Sequence, residues 1–512
     1  MGCGSGPIPH DGPIVLITLD SLRADVVERL NGEPGLTPRL DELIREADWG
    51  GTAIASSSWE GSTMATLFTG LRPWQHQVLH PGHARLSPAL ITLAEALQSA
   101  GYETSGFFSG PWYDQSFGFN QGFEVFQHHG KGHRLLDRLR GMEHERQFLW
   151  AHVPAPQAPY IRRDVFLRRL GRVTPQIPRK VMPIQLEPYF DPAHPLPLSQ
   201  RRRLWAVYCL NVAWADAQLG ELLDALRASG AWDRTLLVVT ANHGEEFGEK
   251  GQILHGGNLG RQLIEVPLVI KLPAGSARRI QVPKRGRVPA ARLWATLVEA
   301  AGGEVPPAAA PSLFRRAPLQ ALSELYLTNG TNRFSLVDGD DQLLWESRFA
   351  PPEPEYYLAR IGFRSREARS RMAEEPRAVF ARLRTAFAVA PPLHGREGSG
   401  PPRLTLERWG ERGSRVVADG ADPAVLKRLA ADLELQWRSF VAEEVAPGQE
   451  SREWTGMAGG EKKREKAEKD KEKNPVPGSG NVPDAVWYIL ANRPGMGAYF
   501  RVHSSAVRAS GS

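Results

Sequence analysis

The chain has 512 residues, 41% hydrophobic and 23% charged: enough apolar side chain for a packed core, and too much for global disorder. Its net charge of +6 suits an anionic ligand, but no groove-reading motif and no interleaving of aromatic with basic residues supports nucleic-acid binding. Two cysteines, Cys3 and Cys209, exclude a disulfide framework and a multi-cysteine zinc site, and no apolar run is long enough to span a bilayer.

The opening Met1-Gly2-Cys3-Gly4-Ser5 resembles the mature start of a bacterial lipoprotein, where cysteine follows a small residue, but without the apolar signal segment that would precede it. Two expectations stand. The match is chance and the chain is cytoplasmic, or the start is misassigned, Cys3 carries a lipid anchor, and the chain sits in the bacterial periplasm or on a membrane.

Pro13 to Leu19 is a continuous apolar and β-branched run, as in a strand buried on both faces, and it ends in Asp20-Ser21. Helical spacing runs over Thr37 to Ala47 and over Leu86 to Ala100, the second closed by Gly101. Strands are predicted at Thr104–Phe108 and Gln147–His152. Ser199 to Ser229 is a long amphipathic helix with Leu204, Tyr208, Val212, Leu219, Leu222, Leu223 and Leu226 near one face, and Gly230 stops it. Cys209 falls inside this pattern as a buried thiol. Thr235–Thr240 and Val266–Leu272 read as buried strands, and Ala290–Ala301 as a helix. Strands alternating with helices predict an α/β fold over residues 1–322: a doubly wound, mostly parallel sheet flanked by helices. Ligands of such sheets bind beyond the carboxyl ends of the strands, which singles out Asp20 and Asn242-His243.

From about Ser323 the texture changes. Glu324 to Leu327 and Arg333 to Trp345 read as short antiparallel strands joined by an Asp338-Gly339 turn. With a helix at Pro423–Ala442 they predict a small α+β C-terminal subdomain over residues 323–455. Residues 456–512 are a charged linker and tail; the Glu461–Lys473 run is a solvated helix or a flexible linker.

Three segments, in order, carry a family resemblance. Val15 to Asp25 (VLITLDSLRAD) is similar to the opening strand and first metal aspartate of the sulfatase family, in the alkaline-phosphatase-like superfamily. Met64 to His76 resembles its nucleophile helix and the following TG-x-x-P-x-x-H. Val238 to Glu249, with Leu254-His255-Gly256-Gly257, resembles its second metal strand and downstream histidine. Lesser matches are Gly118 to Phe123 and Asp216 to Leu219, and the ordered set runs from about residue 13 to 345.

The resemblance implies a metal-dependent hydrolase of sulfate or phosphate esters. Such a reaction needs charge neutralised on the transferring oxygens, a nucleophile in line and an acid for the leaving oxygen. It implies a divalent cation, calcium first, with magnesium or manganese as alternatives, held by Asp20, Asn242 and His243. It places Glu60 and His255 in catalytic positions, and His255, Gln157 and His152 on the substrate. Blander readings remain beside these: Asp20 as a strand-end cap, His243 as a core histidine, His255 as a surface-loop histidine.

The chain also departs from the pattern. Counting back from Thr69-Gly70 puts Glu60 where the family carries the nucleophile, often a cysteine oxidised to formylglycine. Neither cysteine is near, so no formylglycine is expected. Ser62 and Met64 replace the proline and arginine of that motif, Gln157 a histidine, and Asn242 an aspartate. Gly110-Pro111 stands where a Gly-Lys pair is expected. Glu60 compensates for the charge lost at Asn242 if both face the metal, as ligand or as base; otherwise it is a first-turn carboxylate stabilised by the helix dipole. Ser58, Ser62 and Thr63 are fallback nucleophiles or helix caps. The alternative to hydrolysis is a catalytically inactive family member, a pseudoenzyme, that binds an anionic ligand or a protein partner; a phosphoryl-group transferase ranks third.

Overall fold

The computed structural model describes residues 9–348 and 403–416, apart from residues 33, 81–84, 89, 114, 129–132, 143–145, 171–175, 191–193, 285, 306–308, 328–330 and 411–412. The expected helix at Pro423–Ala442, the Glu461–Lys473 run, the tail and Cys3 lie outside the described residues.

In chain order come β1 (Ile14–Asp20), α1 (Pro38–Glu46), β2 (Trp49–Ile54), α2 (Glu60–Thr69), α3 (Pro73–His76), α4 (Leu93–Ser99), β3 (Glu103–Phe108), β4 (Val125–His128), α5 (His133–Arg140) and β5 (Gln147–Pro156). After them come β6 (Tyr160–Ile161), β7 (Lys180–Val181), α6 (Leu198–Ala228), β8 (Leu236–Ala241), β9 (Glu246–Phe247), β10 (Ile253–Leu254), α7 (Arg261–Ile264), β11 (Glu265–Lys271), β12 (Arg287–Pro289) and α8 (Arg292–Ala300).

Eight strands form one sheet in the order β12-β2-β11-β8-β1-β5-β3-β4. Only β11 runs antiparallel to its neighbours. Every residue of β1 and of β8 is buried, as their apolar, β-branched composition requires of strands covered on both faces. Helices α1 and α5 pack with α6 on one side, and α2, α4 and α8 pack together on the other. The predicted doubly wound, mostly parallel α/β sheet is therefore the observed one. No helix among the described residues is long and apolar enough to cross a membrane.

The predicted helix from Leu86 starts only at Leu93. Thr92 and Glu95 form a reciprocal capping box, with Glu95 N–H donating to Thr92 Oγ1 at 3.2 Å and Thr92 N–H to Glu95 Oε2 at 3.1 Å. Capping fixes the first turn there, and apolar spacing upstream only mimics it. The first turn of α1 is capped from a distance: Arg39 N–H and Leu40 N–H donate to Asp216 of α6, at 3.2 and 2.9 Å. That assigns Asp216, one of the lesser matches, a structural task.

A second sheet follows, with β13 (Ala321–Tyr326), β14 (Thr331–Asp338), β15 (Asp341–Arg348), β16 (Arg403–Gly410) and β17 (Gly413–Val416) in sequential antiparallel order. Gly339, at φ 59°, makes the predicted turn between β14 and β15. This sheet is bonded to the chain just beyond β2: Glu324 N–H donates to Ser56 O and the Ser323 hydroxyl to Ala55 O, both at 2.7 Å.

Candidate active site

β1 and β8 are parallel neighbours with Leu19 opposite Ala241, so Asp20 and Asn242 leave the sheet side by side. Asn242 Nδ2 donates to Asp20 Oδ1 at 2.7 Å and to the Tyr113 hydroxyl at 3.2 Å. Its oxygen accepts the backbone N–H of Ser21 at 3.0 Å and of His243 at 2.8 Å. The amide thus staples two strand ends together and turns N–H, not oxygen, toward Asp20.

Beneath Asp20 a hydrogen-bonded chain runs in one direction. Trp150 Nε1 donates to Thr18 Oγ1 at 3.0 Å, and the Thr18 hydroxyl donates to His152 Nδ1 at 2.8 Å. That leaves His152 Nε2 to donate to Asp20 Oδ2 at 3.2 Å. His152 is wholly buried, so the structure places this expected substrate contact behind Asp20, where it orients the carboxylate. Tyr113 stacks edge-on against His152 with ring centroids 4.7 Å apart.

On the other side of Asp20 stands His243. Its Nδ1 faces the carbonyl oxygen of Gly244 at 2.8 Å, an acceptor only, so Nδ1 carries the hydrogen and Nε2 the lone pair. That lone pair is buried with no hydrogen-bond partner. It looks toward Asp20 Oδ1 at 3.9 Å and Glu60 Oε2 at 4.0 Å. Burial lowers the His243 pKa, and the charge of nearby His255 lowers it further, so the imidazole stays neutral.

Glu60 is the first residue of α2. Its Oε1 accepts from His255 Nε2 at 2.8 Å and from Gln157 Nε2 at 2.5 Å. His255 Nδ1 in turn donates to Glu245 Oε1 at 2.8 Å, and Tyr160 donates to Glu245 Oε2 at 2.7 Å. An imidazole between two carboxylates is an imidazolium. Burial by itself would lower the pKa of His255; Glu60 and Glu245 outweigh burial and hold it well above the ordinary value. Burial likewise pushes the Glu60 carboxyl up, but contact with His255, and then His243, pulls it well below the usual carboxylate range. Carboxylate and imidazole atoms of Glu60, His243 and His255 all lie within 4.8 Å of one another, a spacing that a single cation could bridge.

Of the expected site residues, Asp20, Glu60, Gln157, Asn242, His243 and His255 converge at the carboxyl ends of β1, β5 and β8. The fallback nucleophiles are committed elsewhere. Ser62 Oγ donates to Val78 O, Ser58 Oγ to Asn258 O at 2.6 Å, and Thr63 Oγ1 to Glu60 O at 3.0 Å. None caps α2, whose N-cap residue Trp59 makes no side-chain capping bond. Met64, where the family has arginine, is core. Sequence reading missed Tyr113, Tyr160 and Glu245. Glu245 lay inside a segment that carried the resemblance and Tyr160 three residues beyond Gln157, but hydrogen bonds across the fold are what give them a task.

Glu246, next to Glu245, is buried, and burial raises its pKa to about 7, against accepted bonds from Asn258 and Lys250 that lower it. The folded pKa exceeds the unfolded one. The stability linked to this group is therefore full below about 4.5 and is lost as pH rises through about 7. Urea unfolding at pH 5 and pH 8 should show the native chain losing on the order of 2 kcal/mol more than Glu246→Gln over that interval. Equal losses in both proteins would contradict this.

The mostly parallel eight-stranded sheet flanked by helices is a fold that solved sulfatases share. The chain belongs to the sulfatase family, whose profile matches residues 13–303, more than half of the sequence. It is 33% identical over 107 residues to the multifunctional alkaline phosphatase superfamily protein PehA of Trinickia caryophylli, 20% of either chain. It is 22% identical over 328 residues to the uncharacterized sulfatase YidJ of Escherichia coli, 52% of this chain and 64% of that one. The matches thus span less than two thirds of either relative. The phosphonate monoester hydrolase of Agrobacterium radiobacter shares the fold, with a TM-score of 0.51 at 18% identity over 80% of this chain and 99% of that one.

Proposed function

We propose that the chain hydrolyses a sulfate or phosphate ester with the help of a divalent cation, using Glu60 as base and His255 as acid. The observation that carries this reading is the 2.8 Å contact between Glu60 Oε1 and His255 Nε2 at the family's nucleophile position. The orphaned lone pair of His243, aimed at two carboxylates, fits a cation, which Asp20, Glu60 and His243 would hold. When bound, the cation supplies charge neutralisation for the transferring group.

Glu60 takes a proton from the attacking water as its oxygen bonds to sulfur or phosphorus. The ester oxygen leaves with the proton of His255 Nε2. Glu60 has then gained the proton that His255 lost, and the two groups, in contact, reset by passing it back. Pairing drives their pKa values apart in the resting site; a substrate seated between them separates the charges and brings both toward neutrality, where acid and base work best. Glu245, anchored by Tyr160, steadies the Nδ1 hydrogen of His255. Gln157 offers N–H to an anionic oxygen where a histidine stands in the family pattern.

The test is turnover of aryl sulfate, phosphate monoester and phosphate diester with added divalent cations. Hydrolysis of one class, abolished by chelation, is expected. No turnover by a protein that demonstrably binds metal would select the inactive, ligand-binding alternative.

A further inference from the structure

We infer that this site selects a borderline transition-metal dication, with zinc as the test ion, over calcium; the inference rests on the reading that the site holds a dication at all. Calcium takes about six to eight oxygen ligands, from carboxylates, carbonyls, amides and water. Among the described residues, Asp20 and Glu60 bring carboxylate oxygens to within 4.0 Å of His243 Nε2. Asn242 Oδ1, the amide oxygen that the family resemblance assigns to the cation, accepts the backbone N–H groups of Ser21 and His243 instead. Each oxygen of Asp20 accepts one hydrogen bond, from Asn242 and from His152, which fixes the carboxylate and leaves it lone pairs for a cation. Two buried groups beside Asp20 are left without a partner, the Ser21 hydroxyl and a nitrogen, His243 Nε2, and the nitrogen is the one that lies 3.9 Å from Asp20 Oδ1 and 4.0 Å from Glu60 Oε2.

Its tautomer is set from behind. The Gly244 carbonyl fixes the hydrogen on Nδ1 at 2.8 Å, the outer contact by which metal-binding imidazoles are held with Nε2 free. Across from it stand Glu60 Oε2 at 4.0 Å and Asp20 Oδ1 at 3.9 Å, so His243 Nε2 faces two carboxylate oxygens and is hydrogen-bonded to neither. One neutral imidazole with two carboxylates is a donor set that imidazole-tolerant, low-coordinate ions accept and calcium does not. A second imidazole, His255, stands next to the first with ring centroids 4.4 Å apart.

The experiment uses the full chain, stripped with a chelator and titrated calorimetrically with zinc and, separately, with calcium, alongside elemental analysis of the protein as purified. One equivalent of zinc should bind, at least about 100-fold tighter than calcium. His243→Asn, close in shape, should weaken zinc by at least about 10-fold while its thermal unfolding stays near that of the native chain, and His243→Asp should narrow the preference over calcium. Calcium binding as tightly as zinc, or zinc binding indifferent to His243→Asn, would overturn the inference and leave the dication reading standing. Binding of neither ion would overturn both.

Discussion

Glu60→Gln is expected to lower turnover by about 10²–10⁴-fold and to bring the His255 imidazole down toward the ordinary histidine range. The substitution keeps the side chain's shape and an oxygen for Gln157, and removes only the charge 2.8 Å from His255 Nε2. Two measurements separate its causes. The first is kcat/KM on whichever ester the native chain hydrolyses best. The second is the His255 ring titration by NMR, which reads the Glu60 charge whether or not the variant turns over. A carboxylate that merely favours the positive end of α2 would contribute about 0.3–1 kcal/mol to stability and nothing to rate. Native-like turnover with an unchanged His255 titration would reduce Glu60 to that role.

The largest loss of stability is expected from Trp150→Ala, about 3–5 kcal/mol in urea unfolding, in the range of large buried aromatics cut to alanine. Trp150 is fully buried in β5, edge-on to Phe68 with centroids 4.8 Å apart, and it packs against Tyr113 at 5.8 Å. Its Nε1 also begins the chain through Thr18 and His152 to Asp20. Trp150→Phe separates these parts: it keeps most of the packing and deletes the donor, so it should lose less stability yet still loosen Asp20. A Trp150→Ala protein within about 1 kcal/mol of the native chain would show that the cluster collapses around the gap, against the behaviour of close-packed cores.

Much of this architecture was legible because burial on both faces leaves a distinct signature. The runs at Ile14–Leu19 and Leu236–Thr240 are continuous and β-branched, and only a strand inside a covered sheet needs that composition. The long helix α6 was legible from its apolar face and its glycine stop. β2, with Gly50 and Gly51 inside it, and the three-residue β12 were not, because short or glycine-broken strands carry too few residues for a period. At the site, Asp20, Asn242, His243 and His255 were visible as residues, and Glu60 by counting. What they do to one another was not. The turning of the Asn242 oxygen onto two backbone amides, the burial of His152 behind Asp20 and the clamping of His255 by Glu245 depend on side-chain directions that no linear pattern encodes. Residue type told which groups could be ligands; only geometry told which of them had lone pairs left over.

The bonds from Glu324 and Ser323 of β13 to the carbonyls of Ser56 and Ala55 have a consequence for inheritance. Ala55 and Ser56 lie on the short run that carries the chain from β2 into Glu60 at the head of α2. The change of texture near Ser323 marks a junction in composition, yet the backbone that aims Glu60 is stitched across it. The two sheets are therefore not interchangeable modules. A lineage that swapped or shed the smaller one would have to re-solve the aim of Glu60 at the same time, which ties the history of the antiparallel sheet to that of the Glu60–His255 pair.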